Sequence, residues 1–142
     1  MRYWDSSAIV PLLVQEQESE ARESMLREDS QIVTWWASRI ECASALNRLC
    51  REGSLEEKGL ARSLRDLESL AETWLEVVPT EDVRRRAIRL LRVHSLRSAD
   101  ALQLAAALVA AREDPPSLPF LTADERLGLA AEREGLATPQ AG

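Results

Sequence analysis

No stretch of this chain is apolar for long enough to cross a bilayer. Its most apolar segment, Ala99–Ala111, is Ala, Leu and Val apart from Asp100 and Gln103, and falls well short of the roughly 20 residues a spanning helix needs. Cysteine is scarce: Cys42 and Cys50 lie on one predicted helix, roughly 12 Å apart along its axis, too far for a disulfide. They read as core thiols of a reducing compartment, with a metal or redox site as the alternative. With His94 the only histidine, a zinc site of the His/Cys type has no ligand set, and any metal would be held by oxygen. The glycines at 53, 59, 128, 135 and 142 are scattered, which excludes a glycine-rich loop cradling phosphates. Lysine is nearly absent, Lys58 apart. The net charge of −6 argues against sequence-blind attraction to nucleic acid, although bound cations could offset clustered carboxylates locally.

What is present fits one domain over residues 1–138 with a short tail, 139–142. A chain of 142 residues that is 45% hydrophobic can bury a real core. The opening "MRYWDSSAIVPLLV" carries its acid ahead of the apolar residues, unlike a secretory signal, so a cytoplasmic location is expected. Short β-type runs at 2–4, 31–35, 75–79, 119–122 and 136–138 alternate with helical patterns at 7–14, 18–28, 39–52, 55–73, 81–93, 99–112 and 124–134. Such alternation predicts an α/β fold: a central, mostly parallel sheet of four to five strands flanked by helices, with right-handed crossovers. The connection from 38 to 74 predicts a helical hairpin standing off the sheet. "EDPPSLP" (113–119) reads as a loop.

In parallel sheets, ligands gather beyond the carboxyl ends of the strands, where loops lead into helices. Acids stand at several such places. Asp5 follows "RYW", Glu41 follows Ser38, Asp100 follows Ser98 and Asp124 follows Thr122. Each has a purely structural reading. Ser38-x-x-Glu41 and Thr122-x-x-Glu125 are capping-box patterns, Asp5 is a candidate N-cap, and Asp100 and Asp124 suit the positive end of a helix dipole. Ser54-x-x-Glu57 and Thr80-Glu81-Asp82 show the same patterns at ordinary helix starts. Asp100 tips the balance. A cap is worth only about 0.3–2 kcal/mol, whereas a carboxylate at the mouth of so apolar a helix risks a larger desolvation cost. Gathered acids repel one another and call for a hard divalent cation such as Mg²⁺ or Mn²⁺.

The ordered segments "YWDSSAIVPLL", "VTWWASRIECASALNRL", "LRSADALQLAAAL" and "FLTADERL" resemble PIN-domain proteins of the VapC toxin type, from Arg2 to about Ala137. The resemblance implies a parallel sheet whose strand ends gather Asp5, Glu41, Asp100 and Asp124, in that order, as catalytic and metal-binding acids. Asp5 and Asp100 would bind Mg²⁺ (or Mn²⁺) directly, Glu41 directly or through water, and Asp124 would complete the ring. Ser6, Thr122 and Arg97 occupy supporting positions, Arg97 alternatively contacting RNA or pairing with Asp100. The implied activity is a metal-dependent endoribonuclease, the toxin of a toxin–antitoxin pair that inhibits translation. The implied partners are a second copy of the chain and a VapB-type antitoxin whose C-terminal segment carries a basic residue to the acids. The hairpin around 39–73 would supply the antitoxin groove, with Trp35, Trp36 and Leu46 as apolar anchors and core packing as the alternative role of the tryptophans. Two features depart from the common pattern: Pro11 early in the first helix, and the Trp35–Trp36 pair.

Other acid-led folds fit less well. A haloacid-dehalogenase phosphatase wants an Asp where Ser7 stands, and a response-regulator receiver wants a late lysine, whereas Lys58 lies mid-chain. A Ser-His-Asp enzyme would depend on His94, which falls at a helix end. The rival from another class is a catalytically idle PIN domain acting as a binding or dimerisation module.

Overall fold

Every strand is short and most strand residues are buried, on alternate sides, so the sheet serves as a partition between two cores. A computed structural model describes residues 1–112 and 114–139; residue 113 and positions 140–142 of the expected tail lie outside the described residues. The strands are β1 (Arg2–Trp4), β2 (Ile32–Trp35), β3 (Leu75–Val77) and β4 (Phe120–Leu121). They pair in the order β3-β2-β1-β4, and every pairing is parallel. The candidate strand at 136–138 does not form. That segment contributes one backbone bond to the sheet region, Phe120 N–H to the Ala137 carbonyl at 2.7 Å.

The helices are α1 (Ser6–Ile9), α2 (Ser19–Glu28), α3 (Ser38–Arg51), α4 (Glu57–Ala71), α5 (Glu81–Val93), α6 (Ser98–Ala111) and α7 (Glu125–Arg133). The helix expected over 7–14 is shorter. It passes into a 3₁₀ turn, Val10–Leu12, with Pro11 in its first residues, where a missing N–H is tolerated. Period-two alternation sorts the strand side chains. Tyr3, Val33, Trp35 and Phe120 face one core with Val83 and Leu90 of α5, most of α6 and Leu127 of α7. Trp4, Ile32 and Leu121 face the other with Ala8 and Ile9 of α1, Cys42 and Leu46 of α3, and Leu67 of α4. The rings of Tyr3 and Phe120 stack at 5.2 Å, tying β1 to β4. The helical hairpin α3–α4 is rooted in the second core through Cys42, Leu46 and Leu67, while its tip at residues 51–54 is exposed. Gly53 adopts φ +82 there, a left-handed turn that glycine takes without strain.

Three local expectations need correction. Ser38 is the first residue of α3, not its cap, because Ala37 holds the cap position without a side-chain bond. The hydroxyl of Ser38 is drawn inward to Thr34 Oγ1 at 2.7 Å. Ser54 likewise does not cap α4, whose N-cap is Glu56, and Thr122 gives way to Asp124 as the N-cap of α7. Thr80 does cap α5. Both cysteines are free thiols. No helix among the described residues is long and apolar enough to cross a membrane.

Candidate functional site

The strand order runs outward from β1 to β2 and β3, then returns to the other side of β1 for β4. The connections leaving β1 and β4 therefore diverge and open a crevice at the carboxyl ends of these two strands, the usual ligand position in open parallel sheets. Asp5 leaves β1 and Asp124 lies just beyond β4. Asp5 caps α1 with an extended backbone, its N–H bound to the Leu121 carbonyl at 3.1 Å and its Oδ1 accepting from Ala8 N at 3.0 Å. Ser7 donates to the same oxygen at 2.7 Å, and Thr122 Oγ1 donates to Oδ2 at 2.6 Å. Asp5 is 3% exposed. Burial pushes its pKa up to about 6, against the opposing bonds from Thr122, Ser7 and Ala8, and the Glu41 charge adds to the rise.

The remaining acids follow one another across the strand ends. Glu41, in the first turn of α3, accepts from Ser6 Oγ at 2.9 Å and Gln103 Nε2 at 3.2 Å, both on Oε1. Partial burial raises its pKa and the Asp100 charge contributes. Asp100, in the first turn of α6, is raised by burial and then by Asp124, against the Arg97 backbone and the Arg97 and Arg126 charges. Asp124 is exposed and spends Oδ1 on the Arg126 and Leu127 amides at 2.9 and 3.2 Å. Electrostatic neighbours thus run Asp5, Glu41, Asp100, Asp124. Thr122 closes the row by donating to Asp5 and accepting from Asp124 N at 3.0 Å. None of the four joins an ion pair among the described residues.

The donor set is carboxylate oxygen throughout, the chemistry suited to a hard divalent cation, and its most buried member lacks a cation at bonding distance. The residues fit such an ion by chemistry. As placed, no three acidic, imidazole or thiol groups among the described residues stand close enough to enclose one.

Arg97 caps α6 with its backbone and is exposed, and no ion pair with Asp100 forms among the described residues; its charge acts on Asp100 from farther away. Of the expected apolar anchors, Trp35 and Leu46 are core residues, at 5% and 0% exposure, and only Trp36, at 48%, is free to touch anything else. Three side chains near the acids carried no functional expectation. Ser7 bonds Asp5 and accepts from Ala123 N at 2.9 Å. Gln103 bonds Glu41; its signal was a lone amide on an apolar helix, three residues after Asp100. Arg22, 3% exposed, donates to the Thr122 carbonyl at 3.0 Å and leaves Nε without a partner. Burial lowers its pKa while the Glu18 and Asp5 charges oppose the fall, so Arg22 is a fixed positive charge within reach of Asp5. Nothing in the sequence around position 22 distinguishes it from a surface arginine. A cleft of about 500 Å³ opens beside the acids, sharing Thr122 and Asp124 with them and bounded by Glu18, Arg22 and Glu132, while Asp5, Glu41 and Asp100 lie off its walls.

A parallel sheet between two helical layers, with acids following one another across the carboxyl ends of its strands, defines an α/β protein with an acidic candidate site. The profile of the PIN domain matches residues 2–132. Two curated relatives from Mycobacterium tuberculosis, Ribonuclease VapC45 (strain CDC 1551 / Oshkosh) and Ribonuclease VapC49 (strain ATCC 25618 / H37Rv), are each 32% identical over 94% of this chain and 90% of theirs. Solved structures share the fold. A toxin–antitoxin complex from Klebsiella pneumoniae superposes with a TM-score of 0.67 at 17% identity, over 100% of both chains. FitAcB from Neisseria gonorrhoeae gives 0.68 at 18% identity, over 99% of this chain and 98% of that one. The chain belongs to the PIN-domain family, among its VapC-type members.

Proposed function

We propose that this protein is a Mg²⁺-dependent endoribonuclease, the toxin of a toxin–antitoxin pair, that hydrolyses RNA phosphodiester bonds and so inhibits translation. The observation that carries the reading is the row Asp5–Glu41–Asp100–Asp124 at the switch point of the sheet, in a chain related to named VapC ribonucleases. Asp5, Asp100 and Glu41 would hold the ion, with Asp124 completing the ring. When bound, the ion supplies Lewis-acid stabilisation of phosphate charge and eases deprotonation of the attacking water.

The chain's own residues do the positioning. Ser7, Thr122 and the Ala8 amide fix both oxygens of Asp5, so its orientation is set before any ligand arrives. Ser6 and Gln103 occupy Oε1 of Glu41, while Oε2 carries no hydrogen bond among the described residues and is available to orient water. Attack of water on phosphorus, with the 3′ oxygen leaving, yields 5′-phosphate and 3′-hydroxyl ends. A VapB-type antitoxin would inhibit by bringing a basic side chain to the same acids, a counter-charge in place of the ion. A homodimer in the cytoplasm, with the PIN domain spanning 1–138, completes the reading.

The test is cleavage of a structured RNA by purified protein with Mg²⁺ or with chelator, followed by sequencing of the ends. Wild type should cut only with the metal. Asp5→Asn and Asp100→Asn should be inactive yet folded. Cutting by Asp100→Asn at the wild-type rate would overturn the assignment and favour an idle binding module.

A further inference from the structure

Resting on the nuclease reading, we propose that Gln103 is the positioning residue that fixes Glu41 relative to Asp100. Gln103 sits one turn beyond Asp100 on α6 and reaches across to α3, where it bonds the Glu41 carboxylate. One side chain therefore couples two elements that each bring an acid to the site.

An amide on so apolar a helix is costly unless its hydrogen-bonding groups are satisfied. Gln103 is 2% exposed, and both ends of its amide are used. Nε2 donates to Ser38 Oγ at 2.9 Å and to Glu41 Oε1 at 3.2 Å, while Oε1 accepts from Tyr3 O–H at 2.6 Å. Two constraints fix which way the amide points. Tyr3 is fully buried, and its hydroxyl donates to Gln103 Oε1, with Thr34 and the Trp35 backbone on the other side of the hydroxyl oxygen. A flipped amide would turn its oxygen towards the Glu41 carboxylate, setting acceptor against acceptor. Ser38 carries the chain onward to Thr34 Oγ1 at 2.7 Å, and Thr34 donates to the Trp4 carbonyl at 2.6 Å, the residue preceding Asp5. The network thus joins β1, β2, α3 and α6, and touches or adjoins the elements bearing Asp5, Glu41 and Asp100. Ser6, the other donor to Glu41, is only half-buried, and water can compete with it. Gln103 is the donor sealed from exchange.

The experiment compares wild type, Glu41→Gln, Gln103→Leu, Tyr3→Phe and the Tyr3→Phe/Gln103→Leu double variant. Three readouts are taken on each: kcat and KM on one RNA oligonucleotide, Mg²⁺ affinity by calorimetry without RNA, and folding by circular dichroism. Partners that orient a ligating carboxylate typically change metal affinity or activity about 10–100-fold, and Gln103→Leu should fall in that range. KM for RNA should stay within about twofold, because Gln103 is buried and touches no substrate. Tyr3→Phe, which deletes one fully buried oxygen, should give a smaller loss in the same direction, and the double variant should match Gln103→Leu alone. Should Gln103→Leu fail to fold, Tyr3→Phe carries the test. Folded variants with wild-type kcat and Mg²⁺ affinity, beside an inactive Glu41→Gln, would overturn the role of Gln103 and leave the nuclease reading intact. A fully active Glu41→Gln would instead remove the nuclease role of Glu41, and the proposal with it.

Discussion

Replacing Asp5 by Asn tests whether the buried carboxylate costs the metal-free protein stability. The folded pKa is about 6, against an ordinary value of 3.8, so between these values the folded state holds a proton that the unfolded state has released. Stability is therefore lost as pH rises through that window, and above it the full cost is about 3 kcal/mol. Asn carries no such charge. Its oxygen can still accept from Ser7 and from the Ala8 amide, and its NH₂ group can donate to Thr122 Oγ1, which has a second lone pair beside the bond from Asp124 N, as the protonated carboxyl does in acid. Asp5→Asn should thus be close to wild type in acid and more stable than it at neutral pH. The gap between the two proteins should shift by about 2 kcal/mol in favour of Asn on going from about pH 4.5 to about pH 7.5. Urea unfolding with chelator present measures this, because titrations common to both proteins cancel in the difference. Added Mg²⁺ should restore wild-type stability at neutral pH and leave Asp5→Asn unmoved. A stability difference that does not change with pH would show that Asp5 ionises normally in the fold, and the argument for a cation at that carboxylate would fail.

Further predictions concern the scaffold. Trp35→Ala should cost about 3–5 kcal/mol in unfolding free energy, and Trp36→Ala under about 0.5 kcal/mol, since the first leaves a core cavity and the second does not. At the far end of α7, Glu134 bonds His94 Nε2 at 2.7 Å and Arg89 Nη1 at 3.2 Å. Burial alone would raise its pKa, but these two partners hold it below the ordinary glutamate value. Its contribution is present above that ordinary value and is lost as pH falls through the depressed one. Glu134→Gln should therefore lower the melting temperature at neutral pH, and the difference from wild type should shrink in acid; a constant difference would show that the ion pairing contributes nothing.

The electrostatics of the site follow from its place in the fold. The first acid is buried by the sheet and the helix it caps, while the last stands in solvent at a helix start. A single uncompensated carboxylate in the core would be merely destabilising. Four in sequence, with Arg22 the only buried cation in reach of Asp5 among the described residues, concentrate negative charge across the strand ends that a divalent ion or a basic side chain would relieve.

By itself the sequence determined the order and kind of the elements. Spacing along single helices and strands is a local property: α5 was legible to the residue from Thr80 and its apolar period, and α6 from its near-continuous Ala and Leu. It also singles out Asp5, Glu41, Asp100 and Asp124 as candidates, because each stands at a helix start after a strand or opens the apolar helix. The expected fifth strand and Ser38 cap do not form because both are decided by partners that helix and strand patterns do not reveal: Ala137 finds a single sheet contact, and the Ser38 hydroxyl is better used by Thr34 and Gln103. Only the tertiary structure decided which tryptophan is exposed. β2 is buried on both faces through Trp35, and the chain turns at Trp36. It alone also gave work to Tyr3, Gln103 and Arg22, whose hydrogen bonds span about 100 residues of sequence and leave no periodic trace. Hydrophobic burial follows local pattern, but polar satisfaction inside a core is settled by whichever groups the finished packing brings together.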